Sequence, residues 1–331
     1  MRQLSISQII STHPRERLYT HPLVWTARHL GLLSCEFFND GTITLIPPNV
    51  PASPQEQPNT NVLPAPTTLP TKNYPSAPNN VLDLDNEWRH YFMQLRSDTN
   101  AARSLATCRN SISKQRALSQ LLGLEPCSDK VHFQFARRTV ADLPCCSFSR
   151  TPPLAQLGYI NLSDMAWHRR NKLSGLGVGC KHRRPNPPGT RVINKQLRRI
   201  TPDDPREDPY IAALLIALAQ KQRVHLGDDN SGSQVLLLAT LLGDEWLYIY
   251  TSMVSLEFLD GLDNPSRLPP AGAQSRLGMA IHRRRLAFQP YETLPRRLAV
   301  VVRDAGLARE YGSADLDKPQ TEAVAEQASG S

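Results

Sequence analysis

The stretch of this sequence that most strongly suggests chemistry is residues 165–200, which carry many Lys and Arg side chains and no Asp or Glu. Cationic side chains attract the phosphates of nucleic acids, and an aromatic ring such as that of Trp167 can stack on a base. We therefore predict a nucleic-acid contact surface in this stretch. Its candidate residues are Arg169, Arg170, Lys172, Lys181, Arg183, Arg184, Arg198 and Arg199.

An acidic cluster follows this basic stretch directly, at residues 203–208. Its carboxylates, together with those of the acidic C-terminal tail, could partly neutralise the basic charge, in which case residues 165–200 would be an ordinary solvated surface. The first alternative implies that residues 165–200 bind nucleic acid, and the second implies that they have no binding role. Residues 181–185, with the sequence Lys-His-Arg-Arg-Pro, also resemble a short nuclear import signal.

Asp229 and Glu245 are the carboxylates that could hold a Mg²⁺ ion, because this cation prefers hard oxygen ligands. They fall within a predicted order of helix, strands, helix and strand, which resembles the common core of the PD-(D/E)XK nuclease superfamily. Those enzymes carry a lysine two residues after the glutamate, whereas Leu247 stands there in this chain. The resemblance therefore implies an inactive relative rather than an active nuclease. The alternative interpretation is that both carboxylates belong to ordinary turns and bind no metal ion.

The remaining catalytic and cofactor patterns fail at the residues where they would have to act. Gly175, Gly177 and Gly179 lack the spacing of a dinucleotide-binding loop, and Lys181 is followed by His182 instead of Ser or Thr. The six cysteines form no C-x-x-C pair, and no G-x-S-x-G sequence occurs. We predict no cofactor and no catalytic residue.

The folded core that would position these residues is predicted at residues 201–303. Residues 210–220 are apolar on nearly every side, which indicates a buried helix, and Asp208-Pro209 is typical of a helix start. Residues 235–242 and 246–250 predict an antiparallel hairpin around Gly243-Asp244. A strand is expected at 224–226. A short helix is expected at 255–262, and two further strands at 283–288 and 298–302. The predicted fold class is α+β, with a small, mostly antiparallel sheet packed on helices.

The segments outside residues 201–303 have other predicted structures. Residues 1–46 form a short apolar N-terminal segment with a turn at Asn39-Asp40-Gly41 and a strand at 42–46. Residues 47–80 are a Pro-rich linker, expected to be disordered. Residues 81–164 predict a helical segment, with a second helix at 101–122, and then an irregular region with one strand at 131–136. Residues 165–200 are expected to be a flexible basic loop, and residues 304–331 a disordered tail.

The composition and charge of the chain also limit its expected partners and cellular compartment. The chain has 331 residues and a formal net charge of +8, which favours anionic partners. No stretch of the sequence has the length and apolarity of a membrane span or the pattern of a signal peptide. We predict a cytoplasmic or nuclear protein with reduced thiols and no membrane partner.

Parts of the predicted core resemble a known group of sequences. Residues 203–220, 247–251, 258–260 and 288–293 are similar to segments that recur in an uncharacterised protein family of filamentous ascomycete fungi. The resemblance covers about a third of the chain. The resemblance implies a shared fold unit and a fungal origin, and it implies no catalytic residues.

Three functions remain open from the sequence. The first is a non-catalytic module that interacts with a macromolecule, either a protein or a nucleic acid. The alternative is a nucleic-acid-associated protein with a degenerate PD-(D/E)XK nuclease-like core. Convergence of Asp229, Glu245 and the basic side chains on one cleft would favour the alternative. The third is an enzyme of unknown class, which would require a concave pocket lined by titratable groups with shifted pKa values.

Overall fold

The computed structural model describes residues 5–14, 16–43, 81–127, 130–148, 157–175, 187–226, 232–267 and 278–305. The helices within these ranges are α1 Ile6–Thr12, α2 Ala27–Leu32, α3 Val81–Thr107, α4 Ser111–Leu122, α5 Met165–Ser174, α6 Pro187–Ile200, α7 Pro209–Leu226, α8 Leu256–Asp263 and α9 Leu294–Asp304. The strands are β1 Cys35–Thr42, β2 Val131–Phe135, β3 Arg138–Leu143, β4 Cys146–Phe148, β5 Leu157–Asn161, β6 Ser233–Thr240, β7 Trp246–Val254 and β8 Met279–Ala287.

One mixed sheet of six strands organises the described residues, in the order β1-β8-β7-β6-β5-β4. The β1–β8 and β5–β6 pairs are parallel, whereas β4–β5, β6–β7 and β7–β8 are antiparallel. Strands β2 and β3 form a separate antiparallel pair. The predicted α+β class is confirmed, because helices cover both faces of a sheet in which most pairs are antiparallel. The predicted linker lies outside the described residues. Of the tail predicted at 304–331, Asp304 is the last residue of α9 and Ala305 caps it, and the rest lies outside the described residues.

Helix α7 is the centre of one face, as its sequence predicts. Its residues from Tyr210 to Ala219 are each at most 1% exposed, because the helix packs between the sheet and β2. A helix that is apolar all round can be stable only when it is enclosed in this way. On the opposite face, α3, α4 and α9 cover the side chains of Leu236, Leu238 and Ile249.

The predicted hairpin and short helix are also confirmed. Strands β6 and β7 pair in antiparallel register, with Leu237 opposite Tyr250, around the turn at Gly243. Ser255 caps α8 by accepting a hydrogen bond from the backbone N–H of Phe258. The predicted strand at 283–288 corresponds to β8, which begins four residues earlier, at Met279.

Two predicted strands are helices in the structure. Residues 298–302 belong to α9, whose buried residues Leu294, Leu298, Val301 and Val302 lie on one helical face. Residues 224–226 are the last turn of α7. In both places a short run containing β-branched residues suggested a strand. Packing of the longer amphipathic segment favoured a helix instead.

The N-terminal segment joins the main sheet rather than forming a separate unit. Its strand is β1, which ends at Thr42. Most of the strand predicted at 42–46 cannot be compared with it, because residues 44–46 lie outside the described residues. The predicted turn at 39–41 is an irregularity within β1. The register against β8 shifts between Asn39 and Thr42, and Gly41 adopts a φ of 80°. Trp25 is 0% exposed and anchors the segment against the core.

The predictions for residues 101–200 need three corrections. The second helix does not begin at residue 101. Helix α3 continues to Thr107, and α4 begins at Ser111, directly after its cap residue Asn110. The region predicted to be irregular supplies β3, β4 and β5 as well as the expected β2. The described parts of the predicted basic loop are the helices α5 and α6. Long-range pairing and packing stabilise these elements, and neither can be read from local sequence.

Candidate functional site

Arg169 does not lie on the predicted nucleic-acid surface. Its side chain is 2% exposed, and its Nη2 lies 2.6 Å from Oδ1 of Asp208, which is equally buried. Its Nε donates to the carbonyl oxygen of Leu23 at 3.1 Å. The same Asp208 oxygen accepts a hydrogen bond from the N–H of Tyr210 at the start of α7. This pair therefore joins α5, α7 and the N-terminal segment, and the guanidinium is not accessible to a phosphate.

The remaining candidates divide between exposed positions and residues outside the described ranges. Arg170 and Lys172 are exposed on α5, and Arg198 and Arg199 are exposed on α6. Lys181, Arg183 and Arg184 lie outside the described residues. Trp167, the predicted stacking residue, is 57% exposed, and its ring contacts that of His168 edge-on.

Helix α6 has two distinct faces. Ile193, Leu197 and Ile200 are half-buried at spacings of four and three, and α6 packs against α5. The opposite side is exposed and cationic. We call this side the α6 basic stripe; it consists of Arg191, Lys195, Arg198 and Arg199.

Arg191 and Lys195 were not among the predicted site residues, although both belong to the same charge run. The helical spacing of the three apolar residues was the signal that could have found them. That spacing places Arg191 and Lys195 beside Arg198 on the solvent side of a helix.

The acidic cluster that could have neutralised this charge is engaged elsewhere. Asp204 and Glu207 lie 3.4 and 3.5 Å from the guanidinium of Arg283 on β8, and Asp208 binds the buried Arg169. Within the described residues, none of the four side chains of the α6 basic stripe forms an ion pair. Among the described residues, the acidic cluster therefore forms no ion pair with α6, although Asp203 and Asp204 lie near its C-terminal end.

The acidic neighbourhood still affects one end of the stripe. Arg198 and Arg199 line an open cleft of about 1080 Å³ together with Glu16, Asp203 and Asp204. Glu16 is itself bound to Arg28 at 2.9 Å. The charge is therefore mixed at the C-terminal end of α6, while Arg191 and Lys195 do not line this cleft.

The two metal candidates do not form a described site. Asp229 lies outside the described residues, and Glu245 is exposed in the turn between β6 and β7. Among the described residues, no group of three His, Cys, Asp or Glu side chains could hold a metal ion. Convergence of Asp229 and Glu245 with the basic residues therefore stays a prediction.

The neighbouring Asp244 has a structural role. Its Oδ2 accepts hydrogen bonds from Arg206 at 2.9 Å and from the hydroxyl of Tyr248 at 2.6 Å. Burial alone would raise the pKa of Asp244, but the hydrogen bonds from Tyr248 and Arg206 outweigh it and lower the pKa. The carboxylate stays charged and holds the segment before α7 against β7.

A buried polar cluster that the sequence did not indicate lies at the carboxyl ends of β5 and β6. Lys114 of α4 is 0% exposed and donates from Nζ to the Thr240 hydroxyl at 3.0 Å, which also bonds the hydroxyl of Tyr159 at 2.9 Å. Burial lowers the pKa of Lys114, opposed by the nearby charge of Asp164. These contacts fix α4 on the sheet, and the enclosure of Lys114 keeps it from solvent.

The fold and the described surface together define an α+β protein with an exposed cationic helix. No protein-family model, curated protein or solved structure matches the chain. Within the described ranges, no helix is both long and apolar enough to cross a membrane.

Proposed function

We propose that this chain is a non-catalytic interaction module that binds nucleic acid through the α6 basic stripe. The observation that carries the proposal is that Arg191, Lys195, Arg198 and Arg199 are exposed on one side of a helix and have no described carboxylate partner. Cations in this state keep their capacity to neutralise phosphates and release counterions.

The shape of the stripe favours a polyanion over an ordinary protein partner. Its four residues extend over about 12 Å of helix at 1.5 Å per residue. Protein interfaces usually depend on aromatic anchors that fill pockets, and the stripe itself contains only Lys and Arg. A phosphate backbone requires no such anchor, because repeated charge contacts supply the affinity.

Helix α5 supplies the second part of the proposed surface. Arg170 and Lys172 add exposed positive charge, and the exposed ring of Trp167 offers a face to an unpaired base. Stacking on an aromatic side chain is tolerant of sequence. We therefore expect a preference for single-stranded nucleic acid and little discrimination between sequences.

The non-catalytic part of the proposal rests on the sequence. Leu247 occupies the position where the nuclease motif requires a lysine, and it is 0% exposed within the core of β7. An aliphatic side chain has no charged or polar atom with which to polarise a water molecule. The degenerate nuclease-like core remains a prediction, because Asp229 lies outside the described residues.

Fluorescence anisotropy with labelled single-stranded and duplex DNA at low salt tests the proposal. The test variant combines Arg191→Glu, Lys195→Glu and Arg198→Glu. The control combines Arg96→Glu, Arg116→Glu and Arg303→Glu, which are exposed on α3, α4 and α9. Both variants change the net charge by the same amount, so a difference between them reports on the position of the charge.

We expect the α6 variant to lose most of its affinity and the control variant to retain most of it. Equal losses would mean that only net charge matters, and the stripe would not be a site. Absence of DNA binding by the wild-type chain at low salt, together with binding of polyglutamate, would replace nucleic acid with an acidic protein as the partner.

A further inference from the structure

A cleft on a different part of the surface has the characteristics of a small-molecule site. It has a volume of about 560 Å³ and lies between the end of α3, the turn from β6 to β7, and the connection from β8 to α9. Pockets for small ligands fall in the range of about 300–1,000 Å³ and combine apolar walls with a few polar groups. Neither α5 nor α6 contributes a residue to it.

Aromatic rings form the walls of this cleft. Trp246, Tyr291 and Phe288 line it; the first two are half-buried, and Phe288 is 2% exposed. The guanidinium of Arg285 lies 4.6 Å from the centroid of the Trp246 ring, and that of Arg103 lies 5.7 Å from the centroid of Tyr291.

These cation–π contacts fix the two rings in place. Neither Arg285 nor Arg103 is among the residues that line the cleft, whereas Trp246 and Tyr291 are. The parts of the two rings that line the cleft are the surface on which a planar ligand would stack. A ring held in position before binding loses little freedom when the ligand stacks on it.

Three charged side chains line the cleft: Arg109, Glu245 and Asp244, and the carboxylate of Asp244 is already bound by Arg206 and Tyr248. Arg109 is exposed in the connection between α3 and α4, and Glu245 is exposed in the β6–β7 turn. Neither side chain has an ion pair or a hydrogen bond within the described residues. Arg109 also directly precedes Asn110, the cap of α4, and the positive end of a helix dipole favours an anion nearby.

From this combination we propose that the cleft binds a planar heteroaromatic ring that carries an anionic group, with the chemistry of a mononucleotide. The ring stacks on Trp246 and Tyr291, and the anionic group pairs with Arg109. Glu245 accepts hydrogen bonds from a hydroxyl or amino group of the ligand. This places Glu245 in a role other than the metal ligand predicted from the sequence.

The proposal is independent of nucleic-acid binding by α6, because the two surfaces share no residue. Substitutions in the α6 basic stripe should therefore leave ligand binding in the cleft unaltered. A result that contradicts one proposal does not contradict the other.

Isothermal titration calorimetry of the full chain with adenosine 5′-monophosphate tests the site, with adenosine and inorganic phosphate as separate probes. Arg109→Ala and Glu245→Gln are the test variants, and both positions are exposed, so folding is retained. Arg116→Ala, exposed on α4 and outside the cleft, is the matched control.

We expect adenosine 5′-monophosphate to bind, and Arg109→Ala to weaken it about tenfold, as loss of a charge-assisted contact should. Adenosine should bind the wild-type chain about as well as it binds Arg109→Ala. Glu245→Gln should weaken the binding of uncharged adenosine, because a carboxylate accepts a hydrogen bond more strongly than an amide oxygen does. Arg116→Ala should change the affinity for neither ligand. No binding of the nucleotide at millimolar concentration would overturn the proposal, as would equal effects of Arg109→Ala and Arg116→Ala.

Discussion

Nη2 of Arg169 lies 2.6 Å from Oδ1 of Asp208, and both side chains are 2% exposed. This ion pair connects the basic stretch of the sequence to the acidic cluster that follows it, inside the protein rather than on its surface. The contact anchors α5 to the first turn of α7, the helix at the centre of the core. One residue of the predicted nucleic-acid surface is thus part of the scaffold that holds α5.

We expect Arg169→Ala to lower the free energy of unfolding by about 3–5 kcal/mol, because removing one partner leaves the other charge buried and unpaired. Urea denaturation measures this change. The control is Arg170→Ala, an exposed neighbour on the same helix, which should shift stability by less than about 0.5 kcal/mol. If the two variants were equally stable, the buried pair would not anchor α5.

Gly278 and Gly31 give a matched pair of substitutions. A Cβ atom at Gly278 would lie 2.6 Å from the backbone oxygen of Ser34, whereas one at Gly31 would meet nothing within 4 Å. We expect Gly278→Ala to destabilise the chain by about 1–3 kcal/mol, as overpacking does. Gly31→Ala, in helix α2, should be neutral or stabilising by up to about 1 kcal/mol. Thermal melts compare the two, and similar melting temperatures would contradict the close approach of β1 and β8.

Acid should destabilise the protein through three histidines: His29, which is buried, and His21 and His168, which are half-buried. Burial, reinforced by the charge of Lys172, lowers the pKa of His21 to about 4, and its Nδ1 accepts a hydrogen bond from the N–H of Leu23. Between the unfolded value of 6.5 and about 4, the unfolded chain binds a proton that the folded chain does not. The free energy of unfolding therefore falls as the pH falls through this window.

Urea titrations at several pH values between 7 and 4.5 measure this dependence. His21→Asn keeps an acceptor at the same cap position and removes the titrating group, so its stability should fall less steeply with acid than that of the wild type. Burial also lowers the pKa of His29 and His168, so part of the slope should remain. An unchanged slope in His21→Asn would contradict the effect assigned to this residue.

Salt should weaken the proposed nucleic-acid binding, and the steepness of this dependence should report the number of phosphate contacts. Replacing Lys195 with Ala should make the slope of log affinity against log salt concentration less negative by about 0.7–0.9, the value for one lost phosphate contact. Arg116→Ala should leave the slope unaltered. Anisotropy titrations across a salt series give both slopes, and identical slopes would remove Lys195 from the interface.

Several elements could be predicted from the sequence because their signals are local. Helix α7 follows from its apolar composition and from the Asp208-Pro209 start, and the β6–β7 hairpin follows from two apolar runs around Gly243. The cap of α8 at Ser255 has the same local character. In each of these cases, neighbouring residues along the chain contain the whole signal.

The candidate site was predictable only in part. The charge run identified Arg198 and Arg199 correctly as exposed cations, but it also included Arg169, whose partner lies 39 residues away. The aromatic cleft had no signal in the sequence, because Ala106, Trp246 and Tyr291 come from three distant parts of the chain. Side chains of this kind meet only when strands and helices pack together.

The sequence by itself determined the α+β class, the buried central helix and the main hairpin, since periodicity and capping act over a few residues. Only the tertiary structure decided that β1 pairs with β8, that Arg169 is buried, and that Asp204 and Glu207 form their ion pairs with Arg283 instead of with α6. The physical reason is that hydrogen-bond registry and ion pairing between distant segments depend on the packing of the whole core, to which each local pattern contributes only a part.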